Sequence, residues 1–188
     1  MKKLKVLIIV DPQYDFIEGG KLAVNGGKAA LDRLKEYLKE HYKDYDVIII
    51  TCDWHLPSHC SFKSNGGIWP MHCVQFSHGA AIYDPILDVL NEVNADYTVL
   101  TKGCDEDHEE YSIFKNEKSR KVLESFAEHT AEVHYCSLAL DFCVKDSILD
   151  GKKVFLGAKA CLLKDCTAAI GKPEDTYKVL EENNVEII

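Results

Sequence analysis

The sequence predicts an α/β fold of three layers, α/β/α, built around a six-stranded and mostly parallel sheet. One observation is a set of short apolar runs at 4–10, 47–50, 97–100, 133–136, 154–156 and 185–188. Continuous runs of this length, rich in β-branched residues and leucine, suit strands buried on both faces. The other observation is what separates them. Segments 28–42, 85–93, 119–129, 142–149 and 173–183 carry apolar residues at helical spacing. Strands alternating with helices imply right-handed crossovers and a sheet covered on both sides. In 28–42, Leu31, Leu34, Tyr37 and Leu38 share one face while Lys35, Glu36, Lys39 and Glu40 are solvated. In 173–183, Pro173 suits the first helical turn, and Glu174 and Asp175 suit its positive end.

A chain of 188 residues with 46% hydrophobic composition is expected to form one domain. The basic start Met1-Lys2-Lys3-Leu4-Lys5 superficially resembles a secretory signal. The apolar run behind it is too short, and it meets Asp11-Pro12 with no small-residue cleavage site. No run approaches the length that spans a bilayer. The net charge of −9 argues against nucleic acid as a partner, because phosphate binding needs a basic face. Eight cysteines without a Cys-x-x-Cys pair support neither a zinc ribbon nor a dithiol redox motif. They read as small buried hydrophobes in a reducing cytoplasm.

The chemistry is concentrated where the runs end. Asp53 and His55 follow the run at 47–50 and, two residues apart on extended chain, point to the same side. A carboxylate and an imidazole suit a borderline divalent ion such as zinc, manganese or iron. Asp11 closes the first run, Lys102 and Gly103 follow the third, and Cys143 lies beyond the fourth, where a helix is expected to begin. Four consecutive strands thus deliver an acid, an acid with a histidine, a lysine and a cysteine to one edge. In an open parallel sheet, ligands bind at the carboxyl edge. A cysteine at a helix amino terminus, beside an ammonium, is expected to have a lowered pKa. Asp11 could take its proton while Lys102 orients the pair. Singly, each residue has a plainer reading: a buried inert thiol, a surface charge, an acid that starts a turn. The long polar and aromatic connection after Trp54, with His55, His59, Trp69, His72 and His78, interrupts the strand and helix rhythm and reads as functional.

Several motifs agree in order and spacing with one family. Asp11-Pro-Gln-Tyr-Asp-Phe16, Glu18-Gly-Gly20, Leu22-Ala-Val24, Asp53-Trp-His55, Trp69-Pro-Met-His-Cys73, Lys102-Gly103, Tyr111-Ser-Ile-Phe114 and Leu138-Ala-Leu-Asp-Phe-Cys-Val144 closely resemble the nicotinamidases of the isochorismatase-like hydrolases. The resemblance implies that fold, with Asp11, Lys102 and Cys143 as a catalytic triad. It also implies an oxyanion hole from the backbone N–H groups of Ala139 and Cys143, and a cis peptide between Leu138 and Ala139. Asp53, His55 and His72 match the family's metal ligands; zinc is the first choice, with iron and manganese as alternatives. His59 is a further ligand candidate, and Ser61 and Ser64 are its rivals. Phe16, Trp69 and Tyr111 resemble walls of a flat aromatic pocket. The implied reaction converts nicotinamide to nicotinate and ammonia through a cysteine thioester, in NAD salvage, with pyrazinamide a second substrate. Self-association into a homo-oligomer is also expected. Two alternatives stay open: a cysteine amidase of the same superfamily acting on a non-pyridine amide, and a non-catalytic metal-binding protein. The chain departs from the family at Ser137, where glycine is usual, and at Leu140, where threonine is common. The acidic stretch 105–110 reads as a solvated loop that could gate the site.

Overall fold

The computed structural model describes residues 2–188. Six strands, β1 (Leu4–Val10), β2 (Val47–Asp53), β3 (Thr98–Lys102), β4 (Thr130–Ser137), β5 (Lys159–Thr167) and β6 (Glu186–Ile187), form one sheet in the order β3-β2-β1-β4-β5-β6. All five pairings are parallel. Helices α1 (Gly27–His41) and α2 (Asp84–Glu92) cover one face; α3 (Glu117–Glu124), α4 (Lys145–Val154) and α5 (Pro173–Glu182) cover the other.

β1 shows why its run is continuous rather than alternating. Leu7 and Ile9 pack with Leu31, Leu34 and Leu38 of α1, while Val6, Ile8 and Val10 pack with Leu123, Ile148 and Leu180 of the opposite layer. Every residue from Val6 to Val10 is fully buried. Each such aliphatic side chain contributes about 1.5–3 kcal/mol. β1 is also where the chain order reverses, with β2 on one side and β4 on the other. Crevices outside the carboxyl ends of strands at such a switch point are ready-made ligand sites.

The fifth strand differs from the expectation. Residues 154–156 are not a strand: Val154 completes α4, Phe155 N donates to Gly151 O, and Leu156 is exposed before the chain turns at Gly157, φ +79°. β5 instead begins at Lys159. Val-Phe-Leu has higher strand propensity than Ala-Cys-Leu-Leu, but pairing with β4 and burial of 160–163 outweigh propensity. α3 starts earlier than expected, because the Asn116 side chain caps it by accepting from Ser119 N at 3.2 Å. It ends at Glu124, and Ala127–His129 is a separate single turn. Among the described residues, no helix is long and apolar enough to cross a membrane.

Candidate active site

Asp11, Asp53, Lys102 and Cys143 arrive at the switch point from the ends of β1, β2 and β3 and from the turn after β4, and the fold buries all four. Lys102 Nζ lies 2.8 Å from Asp11 Oδ2, 2.5 Å from Asp53 Oδ1 and 3.3 Å from Cys143 Sγ. One ammonium thus serves two carboxylates and a thiol. Thr51 Oγ1 donates to Asp11 Oδ1 at 2.6 Å. Asp11 Oδ2 is different: Lys102 is at ion-pair distance, yet no aligned donor satisfies this buried oxygen.

The electrostatics divide the two acids. Burial pushes the Asp11 carboxyl above its ordinary range; Lys102 opposes this and the Asp53 charge adds to it. Burial also works against ionised Asp53, but Lys102, His55 and His72 together hold its carboxyl well below that range. The Lys102 ammonium, although buried, is held charged by Asp11 and Asp53. Cys143 departs from the expected lowered pKa. Burial pushes the thiol well above its ordinary value, with Lys102 opposing and both carboxylates adding. Cys143 sits within a π-turn, Leu140–Val144, ahead of α4 rather than in the first turn of an α-helix. Burial thus works against the charged form of both the Cys143 thiol and the Asp11 carboxyl.

Asp53 Oδ2 lies 3.4 Å from His55 Nε2 and 3.8 Å from His72 Nε2. Each ring is oriented by a backbone carbonyl, His55 Nδ1 bonding Gly103 O at 2.9 Å and His72 Nδ1 bonding Pro70 O at 2.8 Å. In the tautomers that donate these bonds, both Nε2 lone pairs face Asp53. Gly103, at φ +65°, makes the approach feasible, because a Cβ there would stand 2.3 Å from His55 Cε1. Two imidazoles and a carboxylate converging in this way could hold a borderline divalent ion. The His59 ring packs 4.2 Å from His55, with Nδ1 accepting from Ser61 N and bonded to Ser61 Oγ at 2.7 Å. His59 Nε2 is buried without a partner, so His59 adjoins the three ligand candidates. Ser61 stands behind it. Ser64 is exposed in the turn Lys63–Asn65, and the fold does not bring it to the cluster.

A cleft opens beside Cys143. Phe16, Trp69 and Tyr111 line it, and Trp69 Nε1 donates to Tyr111 OH at 2.8 Å. Leu22, Phe142 and Glu109 line it too, and sequence reasoning did not single them out. Phe142, edge-on to Trp69 at 4.9 Å, lies next to the proposed nucleophile, but its apolar character reads as helix core. Glu109 was hidden within the acidic stretch.

Behind the cleft, the Leu138–Ala139 peptide is cis, as the resemblance implies. Ser137 has φ +87°, a conformation that favours glycine, and its Oγ is buried without a partner. Ser137→Gly is therefore expected to raise stability by about 1 kcal/mol, through relief of backbone strain and loss of an orphaned hydroxyl. Urea unfolding of the two proteins checks this; a lower midpoint for the glycine variant would contradict it.

No protein-family model matches the chain. A nicotinamidase of Saccharomyces cerevisiae is 30% identical over 98% of this chain and 99% of its own length. The crystal structure of a Pyrococcus horikoshii pyrazinamidase in complex with zinc superposes with a TM-score of 0.81 at 32% identity, covering 98% of both chains. An L. infantum protein in complex with nicotinate superposes at 0.84 with 32% identity, covering 99% of this chain and 92% of that one. These likenesses run through every strand that carries the site, and on them the chain belongs to the nicotinamidase family of isochorismatase-like hydrolases.

Proposed function

We propose that this chain hydrolyses nicotinamide to nicotinate and ammonia through a thioester on Cys143. The observation that carries the reading is Lys102, held between Asp11 and Asp53 and 3.3 Å from the Cys143 sulfur, at the floor of an aromatic cleft.

Asp11 Oδ2 takes the thiol proton, and the Lys102 ammonium stabilises the thiolate as it forms. The sulfur attacks the carboxamide carbon. The developing oxyanion is held by the N–H groups of Ala139 and Cys143, donors that cost no reorganisation during the step. Asp11 then gives its proton to the departing nitrogen, which leaves as ammonia and a nicotinoyl thioester remains. Water deprotonated by Asp11 attacks this thioester, releasing nicotinate and restoring the thiol. Asp53 acts throughout by fixing Lys102. Phe16, Trp69, Tyr111 and Phe142 hold the flat pyridine ring and exclude water. Asp53, His55 and His72 would hold a divalent ion, which supplies a Lewis acid beside the cleft. Zinc is the first choice, and iron and manganese suit the same donors. Pyrazinamide, with a similar ring and the same carboxamide, is a second substrate. Nicotinate feeds the rebuilding of NAD.

Ammonia release from nicotinamide by the purified chain tests this, before chelation, after chelation and after return of zinc. Activity that falls on chelation and returns with metal is expected. Full activity after complete metal removal would contradict the metal part, and release only from non-pyridine amides would contradict the substrate.

A further inference from the structure

A second group of metal-type donors lies toward the amino-terminal side of the sheet, away from the catalytic edge. His134 of β4 is in register with Cys161 of β5, and Cys161 with Glu186 of β6, so the three occupy one row across adjacent strands. Glu132, two residues before His134, projects from the same face. Cys161 Sγ is 3.6 Å from Glu186 Oε2 and 4.0 Å from Glu132 Oε1, and Glu132 Oε1 is 2.5 Å from His134 Nε2. His134 and Cys161 are buried, while both carboxylates reach solvent.

We propose that Glu132, His134, Cys161 and Glu186 form a second cation site that takes one borderline divalent ion, of which zinc is the type, as a closed structural centre. Four protein ligands of N, S and O type, with no position left open, are the pattern of structural rather than catalytic zinc. Metal-ligand bonds of about 2.0–2.3 Å in a tetrahedron place S and O donors about 3.5 Å apart and N and O donors about 3.3 Å apart. The two sulfur separations are already near that value. The His134–Glu132 hydrogen bond must open, and the Glu186 carboxylate, which touches Cys161 but stands outside the group formed by Glu132, His134 and Cys161, must swing in from β6. The far side of the ring is prepared: Tyr45 OH meets His134 Nδ1 at 2.8 Å and Tyr37 OH at 2.6 Å, a chain able to accept the ring proton once it resides on Nδ1. Binding releases the Cys161 thiol proton to solvent and moves the His134 proton from Nε2 to Nδ1, with no electron transfer. Lys5, now beside half-buried Glu132, and Lys159, beside Glu186, are displaced; the second pair is solvent-exposed and a weak competitor.

Cobalt(II) titration of the metal-stripped chain tests the site through thiolate-to-metal charge-transfer absorption. The Asp53, His55 and His72 group contains no sulfur, and Cys143 is the thiol whose sulfur lies within ligand reach of Asp53, so Cys143→Ser serves as control. The band is expected in the parent and in Cys143→Ser, and is expected to vanish in Cys161→Ser, whose nicotinamide hydrolysis stays at the parental rate. Glu186→Gln alters an exposed side chain without threatening the fold and is expected to weaken cobalt binding about tenfold or more. No band in the parent, a band that survives Cys161→Ser, or parental affinity in Glu186→Gln would each overturn the proposal.

Discussion

Cys143→Ala is expected to lower kcat for nicotinamide by about 10⁴-fold or more, with folding and metal content unchanged. The side chain is small, so its loss leaves little cavity, but nothing else near the cleft can take its place. Among the described residues, Lys102 Nζ at 3.3 Å is the hydrogen-bond partner of the sulfur. The direction in which burial moves the thiol sharpens the expectation. Burial raises both the Cys143 thiol and the Asp11 carboxyl, and the proposed path passes the proton from sulfur to Asp11 inside the site. Asp11→Asn should therefore be nearly as damaging as Cys143→Ala, since the two act as one unit. Steady-state ammonia release checks both. An Asp11→Asn variant within about tenfold of the parent would contradict the proton path.

Lys102→Met is expected to be the most destabilising single change at the site, costing about 3–5 kcal/mol at neutral pH. It keeps much of the side-chain volume and removes the ammonium that two fully enclosed carboxylates share. The sign of its pH dependence follows. In the parent, Asp53 is held below its ordinary range, so its contribution is present above the unfolded value of about 3.9 and is lost as pH falls through the folded value. In the variant, unpaired Asp11 and Asp53 would have folded pKa values raised above the unfolded value. Their penalty is full at neutral pH and fades as pH falls through those raised values. The gap between the two proteins should accordingly narrow on acidification. Urea unfolding from about pH 8 down to about pH 5 reads it. A gap below about 1 kcal/mol at neutral pH, or one that widens in acid, would contradict the shared-ammonium account.

The fold and the convergence of Asp11, Asp53, Lys102 and Cys143 were legible because both arise where local sequence and tertiary structure agree. The run from Val6 to Val10 is uninterrupted since each face of β1 meets a separate helical layer. Asp11, Asp53 and Lys102 are polar residues directly at the ends of such runs, and parallel connectivity leaves them one edge to share. What escaped is what depends on packing over distance. β5 has Lys164 and Asp165 in its interior, and its pairing with β4 shifts register between Tyr135 and Ser137, so no local period announces it. The raised Cys143 pKa reflects full enclosure by several elements, whereas the sequence shows only a cysteine near a helix start. Among the ligand candidates, His59 and Ser64 looked equivalent in a long loop. The chain turns at Gly66, φ +93°, and leaves Ser64 in solvent while His59 packs on His55.

The central claim is a covalent nicotinoyl thioester on Cys143, and partitioning with hydroxylamine tests it most directly. Hydroxylamine attacks a thioester in competition with water, so turnover of nicotinamide in its presence should yield nicotinohydroxamate in proportion to its concentration, and no hydroxamate with Cys143→Ala. Turnover that gives nicotinate alone at every hydroxylamine concentration, from a chain releasing ammonia at full rate, would contradict the account.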